Sequence, residues 1–166
     1  DLIFEKNKEN NKARLVAGYC WDWVSKKDRK QFDIVIPNTD FAMKWNFDSY
    51  GGLWSIYPTS VNEVGCIHTC QGLELDYIGV MIGPDLRIED GQVITDPSKR
   101  SKMDSSIKGY KKMLNENPEL AKQKAEAIIK NTYRTLMTRG LKGCYVYVYN
   151  RNFNEILQNT IYKNSL

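Results

Sequence analysis

The chain has 166 residues, of which 42% are hydrophobic and 27% are charged, and its formal net charge is +4. This length suits one compact domain with a buried core, and the composition excludes a disordered segment. The small positive charge is compatible with a nucleic-acid partner but does not indicate one, because lysines spread over a solvated surface give the same value.

The sequence shows neither a membrane-spanning segment nor a secretory signal, and this bears on the cellular compartment that we expect for the protein. No apolar run reaches the ~18 residues that a membrane span needs. No secretory signal is visible, so we expect a cytoplasmic protein without a membrane partner. The chain begins with Asp1, which fits a cytosolic protein or an excised piece of one. Four scattered cysteines, Cys20, Cys66, Cys70 and Cys144, predict reduced thiols that pack as small hydrophobic groups.

Two further constellations suggest chemistry only weakly. The C-I-H-T-C group at 66–70 lacks a C-x-x-C pair and a distant second pair, so we predict no metal site. The carboxylates Asp85, Glu89 and Asp90 lack the spaced P-D…E-x-K arrangement of a restriction-type nuclease. A solvated hairpin explains them better.

The first third of the chain predicts short strands separated by irregular segments. Residues 1–12 are polar and predict a frayed lead-in. Residues 13–20 predict a buried strand, and 22–31 a polar helix or loop that Asp22 would cap. Residues 33–36 predict a short strand, which ends where Pro37 follows. The aromatic-rich stretch 41–58 predicts an irregular region with room for a short hairpin.

From residue 63 the pattern becomes sharper. Residues 63–67 predict a strand, and 68–73 predict a turn with room for one helical turn. The continuous apolar run 77–82 is typical of a strand buried on both faces of a parallel sheet. Residues 86–95 alternate around a central D-G pair, which predicts a hairpin. The charged stretch 96–116 predicts a mobile loop that becomes helical late.

The strongest helix prediction covers residues 118–137. Pro118 suits the first helical turn, the apolar side chains keep one face, and Gly140 follows as a stop. Residues 144–149 alternate as a strand, and 151–162 predict a closing amphipathic helix. A strand, a long crossover and a second strand imply a right-handed parallel unit. The predicted fold class is therefore α/β with a mainly parallel sheet.

Two blocks of sequence join a polar turn to a strand-like run. In the first, His68, Gln71, Gly72 and Glu74 precede Y-I-G-V-M-I-G; in the second, the Arg139-Gly140 pair precedes C-Y-V-Y-V-Y. Polar groups at the ends of neighbouring parallel strands are how α/β proteins build nucleotide sites. No G-x-x-x-x-G-K-[ST] stretch occurs, so the usual phosphate-binding loop, Walker A, is absent.

Together these blocks resemble the second RecA-like domain of superfamily-one helicases, and within them the helicase-like domain of Schlafen-type proteins and their bacterial relatives. H-T-C-Q-G-L-E at 68–74 is similar to motif V, L-M-T-R-G at 136–140 to motif VI, and 13–21 to the opening strand. The resemblance covers about 13–150. It implies a three-layer RecA-like fold, with 1–166 as a single domain of a larger protein.

The resemblance also implies roles for individual residues. Arg139 would be the arginine finger, because a permanently charged, fork-shaped guanidinium stabilises the γ-phosphate during phosphoryl transfer. The backbone of Gly72 would lie near the phosphates and Glu74 near the ribose, while Gln71 replaces the lysine of many helicases. The implied ATP-contacting set is Gln71, Gly72, Glu74, Arg139 and Gly140, and the implied nucleic-acid set is His68 and Thr69.

Each of these residues also has a structural interpretation. Arg139 would interact with the negative end of its own helix. Gly72 would be a plain turn glycine, Glu74 a surface carboxylate, and His68 a core or turn residue. Arg134, one turn earlier than Thr138, would reach the same cleft or remain on the surface.

Two other groups carry open alternatives. The aromatic side chains Trp45, Tyr50, Trp54 and Tyr57 would stack on bases, or fill a core or domain interface. The basic cluster 99–102, with Lys108, Lys111 and Lys112, would meet phosphates or form a solvated mobile loop.

By this resemblance the chain is the C-terminal motor domain of an ATP-dependent DNA or RNA helicase or translocase. ATP and Mg²⁺ would bind only together with the N-terminal RecA-like domain of the same protein, so this piece alone would be inactive. The expected partners are that domain and DNA or RNA. The alternative is a non-catalytic α/β module that binds nucleic acid or protein through the aromatic side chains.

Overall fold

The computed structural model describes residues 2–46, 52–70 and 72–164. It contains short 3-10 turns and the following helices and strands: α1 (Leu2–Asn10), β1 (Ala13–Ala17), β2 (Ile34–Val35), β3 (Ala42–Trp45), β4 (Glu63–Gly65), α2 (Ile67–Cys70), β5 (Leu75–Ile82), β6 (Leu86–Glu89), β7 (Gln92–Thr95), α3 (Tyr110–Glu116), α4 (Pro118–Met137), β8 (Gly140–Val148) and α5 (Arg151–Asn164).

Six strands form one sheet in the order β2-β3-β4-β1-β5-β8, and β6 and β7 form a separate hairpin. Strands β3, β4, β1, β5 and β8 run parallel, and only β2 runs antiparallel to its neighbour β3. The carboxyl ends of the five parallel strands therefore share one edge of the sheet, and their amino ends share the other. The predicted α/β class with a mainly parallel sheet is confirmed.

Two apolar clusters cover the two faces of the sheet and make the domain three-layered. On one face, α4 and α5 pack against β5 and β8 through Ile129, Leu136 and Phe153. On the other face lie α1 and the segment after β1. Glycine at position 79 allows α1 to approach β5 closely, because a Cβ there would lie 2.6 Å from Cγ1 of Ile3.

The elements with strong local signals form as predicted. Helix α4 occupies the predicted residues; Pro118 is in its first turn, and the side chain of Asn117 accepts a hydrogen bond from the Leu120 backbone N–H at 3.1 Å. The β6–β7 hairpin turns at Asp90 and Gly91, whose φ values of 50° and 75° are the pair that a type I′ turn requires.

Four predictions for local structure were wrong. Residues 1–12 contain helix α1, because Ile3 finds a buried site against the sheet. Residues 42–45 form a sheet strand, because β2 and β4 flank them. Asp22 caps no helix, since Trp23 precedes the 3-10 turn and no side chain caps it. Gly140 does not stop α4; it begins β8, and Thr138 is the C-cap.

Candidate functional site at the amino edge of the sheet

Strands β5 and β8 begin side by side. Leu75 and Gly140, the first residues of the two strands, are register partners, and the backbone N–H of Leu75 donates to the carbonyl oxygen of Arg139 at 2.9 Å. The residues just before each strand, Glu74 and Arg139, are therefore neighbours at this edge. The parallel sheet thus brings the two sequence blocks together.

This edge is the amino edge of the sheet, whereas resident ligands of open α/β sheets bind beyond the carboxyl ends of the strands. At the carboxyl ends of β1 and β5 the protein's own side chains occupy that position. Arg100 donates to Asp85 at 2.8 Å, the Tyr133 hydroxyl donates to Asp85, and the Ser101 backbone N–H donates to the Tyr19 carbonyl at 2.9 Å. The side chains of Asp85, Arg100 and Tyr133 therefore pack together beyond the carboxyl ends of β1 and β5.

Arg139 is half-buried and follows Thr138, the C-cap of helix α4. Its Nε donates to the Thr135 carbonyl at 3.2 Å, and one Nη is 3.4 Å from the Thr138 hydroxyl. These contacts match the interpretation in which the guanidinium caps its own helix. Among the described residues no carboxylate pairs with Arg139. Within the described ranges, the positive charge is therefore held by the neutral oxygen atoms of Thr135 and Thr138.

The residues before β5 are open to solvent. Glu74 is exposed and forms no hydrogen bond or ion pair with the described residues. Gly72 has a φ of 77°, and a Cβ there would meet no atom within 4 Å. Glycine is therefore required by the left-handed backbone, and not by a close neighbour. Gln71 lies outside the described residues, so its predicted role has no structural counterpart here.

Helix α2 connects this edge to the core. It packs against α4, and Cys70 is buried in the same apolar cluster as Leu136. Burial raises the pKa of the Cys70 thiol, and the positive charge of Arg139 acts in the opposite direction. The guanidinium is thus close enough to α2 for the two to interact electrostatically.

His68 and Thr69 lie toward the opposite edge of the sheet. His68 is exposed, and the Thr69 hydroxyl donates to the Asn46 side chain at 2.8 Å, just beyond the carboxyl end of β3. The segment 66–74 therefore crosses the sheet from its carboxyl edge to its amino edge. His68 and Thr69, predicted for nucleic acid, lie near one end of this segment, and Gly72 and Glu74, predicted for the nucleotide, lie at the other.

The aromatic side chains predicted as a stacking surface mostly belong to the core. Trp45 and Trp54 are 0% and 1% exposed, and their indole N–H groups donate to the Trp21 carbonyl and to Glu63. Tyr57 is exposed, and Tyr50 lies outside the described residues. The interpretation in which this group fills a core is therefore correct for both tryptophans.

The basic cluster at 99–102 is only partly available to a ligand. Arg100 and Ser101 are buried, and Arg100 forms ion pairs with Asp85 and Asp104. Arg100 is therefore a structural residue that anchors the segment after β7. Neither predicted role, phosphate binding or a solvated mobile loop, fits it.

Sequence reasoning missed an ion pair at the amino edge. The Lys142 ammonium lies 2.8 Å from the Asp76 carboxylate, which also accepts a hydrogen bond from the Asn10 side chain at 2.7 Å. The only signal in the sequence was a charged residue beside each strand start. Elsewhere in the described ranges, no three His, Cys, Asp or Glu side chains converge as metal ligands would.

The comparisons with known proteins assign the family. A model described as "Schlafen group 3, DNA/RNA helicase domain" matches residues 1–150, so the chain belongs to this family of helicase domains. A Saccharomyces cerevisiae protein described as "Uncharacterized protein YPL245W" is 31% identical over 163 residues. The match covers 95% of this chain but only 34% of that protein. No solved structure matches the chain.

Family membership supports a helicase-related role that involves nucleic acid, as the predicted helicase-like family implied. In the described part of the chain, no helix is both long enough and apolar enough to cross a membrane.

Proposed function

We propose that this chain is the second RecA-like motor domain of an ATP-driven DNA or RNA translocase or helicase, in which Arg139 completes the ATP site. The proposal depends most on the position, exposure and ion pairing of the Arg139 side chain. Arg139 is partly exposed at the end of a 20-residue helix, it is adjacent to Glu74, and no described carboxylate neutralises it. The chain belongs to a family of helicase domains, in which a cation at this position would serve to contact the γ-phosphate of ATP.

The amino edge suits a nucleotide that another domain presents. One guanidinium and one free carboxylate fit a γ-phosphate and a ribose hydroxyl, but they do not form the set of oxygen ligands that Mg²⁺ needs. ATP and Mg²⁺ would therefore be held by the N-terminal RecA-like domain, where they supply the phosphoryl group and its charge neutralisation. Glu74 would accept from the ribose, and Arg139 would donate to the γ-phosphate.

The resting contacts of Arg139 are weak enough to be exchanged. Its acceptors are a carbonyl and a hydroxyl at 3.2 and 3.4 Å. Hydrogen bonds to an ionised phosphate are shorter and roughly twice as strong as those between neutral groups. A triphosphate that arrives at this edge would thus draw the guanidinium away from the helix end.

The segment 66–74 offers a mechanical connection between the two proposed ligands. Thr69 contacts the loop beyond β3, Cys70 is fixed in the core against α4, and Glu74 stands beside Arg139. Closure of the two domains on ATP would shift α2 and α4 together. The nucleic acid near His68 and Thr69 would then respond to the nucleotide.

Replacement of Arg139 by alanine in the complete protein tests the proposal. We expect ATP turnover to fall by a factor on the order of 10³–10⁵, as for other arginine fingers, with binding of ATP less affected. Arg139→Lys should rescue little, because lysine lacks the planar fork. Lys130→Ala is the matched control: it removes one positive charge from the exposed face of the same helix.

Steady-state ATP hydrolysis with and without single-stranded DNA and RNA gives the readout. Turnover of Arg139→Ala near that of the wild type would show that this residue is only a helix cap. A complete wild-type protein that binds nucleic acid without hydrolysing ATP would favour the non-catalytic binding module.

A further inference from the structure

A second positively charged feature lies at the carboxyl edge of the sheet, in the connection between β1 and β2. Four of the five residues at 26–30 are basic, and all five are exposed. Because β1 ends and β2 begins at the carboxyl edge, both ends of this connection lie there. We call residues 24–32 the basic loop.

Two cations of the basic loop, Lys27 and Lys30, differ from several helical lysines in their ion pairing. Several surface lysines on its helices pair with a nearby glutamate, as in Lys8 with Glu5 and Lys122 with Glu119. In the basic loop, by contrast, Lys27 and Lys30 form no ion pair with the described residues. The single acid of the loop, Asp28, accepts from the Lys30 backbone N–H at 3.0 Å and from the Gln31 amide at 3.1 Å. Its carboxylate therefore shapes the turn.

Aromatic rings accompany the cations. Lys26 lies over the ring of Trp23, with its ammonium 3.8 Å from the ring centroid. Phe32 is 50% exposed, and the ammonium of Lys44 lies 5.5 Å from its ring centroid. Exposed rings beside cations are what proteins offer to unpaired bases and their phosphates.

A buried carboxylate fixes the basic loop relative to the core. Asp33 accepts from the backbone N–H and the hydroxyl of Ser25 at 2.7 and 2.6 Å, and from the backbone N–H of Trp45 at 2.8 Å. The next residue, Asn46, accepts from Thr69. One chain of hydrogen bonds and covalent links therefore joins the basic loop to the segment in which nucleic-acid contacts are proposed.

We infer that the basic loop is a binding surface for single-stranded nucleic acid, with Lys27 and Lys30 on phosphates and Phe32 stacked on a base. This inference rests on the proposed nucleic-acid role of the chain and states where the strand would lie. The strand would pass along the carboxyl edge of the sheet, from the basic loop past the end of β3 to Thr69. Its phosphates would be contacted by Lys27 and Lys30, which pair with no acidic side chain in the described part of the chain.

The salt dependence of binding tests the inference. A fluorescent oligodeoxythymidylate and an oligouridylate are titrated with the complete protein, without nucleotide, at several salt concentrations. Log K falls as log salt rises, and each lost phosphate contact reduces the magnitude of this negative slope by about 0.7 for a single strand. The double variant Lys27→Ala with Lys30→Ala should therefore reduce the magnitude of the slope by about 1.4. The control, Lys122→Ala with Lys124→Ala, removes the same charge from α4 and should leave the slope unchanged.

Phe32→Ala separates stacking from charge. It should weaken binding by about ten- to a hundredfold with an unchanged salt slope, because a lost stack removes no phosphate contact. Wild-type slopes for the loop double variant would overturn the inference. An oligoglutamate peptide that binds through Lys27 and Lys30, when the oligonucleotides do not, would overturn it in favour of an acidic protein partner.

The outcomes for the two proposals are distinguishable. If Arg139→Ala retains full ATP turnover, the arginine-finger proposal fails while the oligonucleotide titration still decides on the basic loop. If the loop double variant binds like the wild type while Arg139→Ala abolishes turnover, only the inference about the loop fails.

Discussion

Removal of the Asp85 carboxylate should destabilise the domain more than any surface change. Asp85 accepts from Arg100 at 2.8 Å and from the Tyr133 hydroxyl, and the Asp85 and Arg100 side chains are both 0% exposed. Burial raises the pKa of the Tyr133 phenol, so this group remains a neutral donor. In Asp85→Ala, Arg100 keeps only Asp104 as an acidic partner, and Tyr133 loses its acceptor.

The magnitude follows from the burial of this network. Breaking a buried ion pair by removing one partner costs about 3–5 kcal/mol. This cost is a large part of the roughly 5–15 kcal/mol by which a domain is stable. With an m-value of about 2 kcal/mol/M in urea, the unfolding midpoint should fall by about 1.5–2.5 M.

Urea unfolding followed by circular dichroism measures the change. Glu89→Ala is the matched control, because it removes a carboxylate from the exposed Arg87–Glu89 pair and should change stability by less than about 1 kcal/mol. Amide exchange should also increase in residues 96–107, which Arg100 anchors. A decrease of less than about 1 kcal/mol in the free energy of unfolding of Asp85→Ala would refute the reasoning, because removal of one partner from a buried ion pair leaves the other charge uncompensated.

Two other perturbations address local features. Asn117→Ala removes the side-chain cap of α4 and should lower the free energy of unfolding by about 1 kcal/mol. Asn117→Ser should retain most of the capping contribution, because serine also accepts a hydrogen bond at this position. Equal stability of the two variants would argue against the cap. Asp76 has a lowered pKa because the Lys142 ammonium, and then the Asn10 amide, donate to it. In acid the unfolded state therefore binds more protons at Asp76 than the folded state does. The contribution of Asp76 to the free energy of unfolding is complete above the ordinary pKa of 3.8 and is lost as the pH falls through the lower pKa of the folded state. Urea midpoints between pH 2 and 6 should show this loss in the wild type, and a profile of equal steepness in Asp76→Asn would contradict it.

The sequence predicted best where a signal was local. The bounds of α4 follow from Pro118 and from an apolar spacing that keeps one face along the helix, and the β6–β7 turn follows from the D-G pair. Strand β5 was recognised because a continuous apolar run suits only a strand with both faces covered. The sheet also placed Glu74, from the first of the two sequence blocks, beside Arg139, from the second.

The sequence failed where a residue's environment comes from distant parts of the chain. Arg100 lies among lysines and serines in a charged stretch, and nothing nearby shows that Asp85 would pair with it in the interior. Helix α1 has a weak amphipathic pattern, and it is held because Gly79, far along the chain, leaves room for Ile3.

The sequence by itself determined the α/β class and the strongest helix and strand, because backbone preference and periodicity are set by near neighbours. Only the tertiary structure decided which cations are buried and which remain open, and which edge of the sheet each polar group occupies. Burial of a charge depends on a counter-charge that the fold brings from elsewhere, and strand direction depends on pairing across the sheet. Arg100 became a structural residue and Arg139 remained available for that reason.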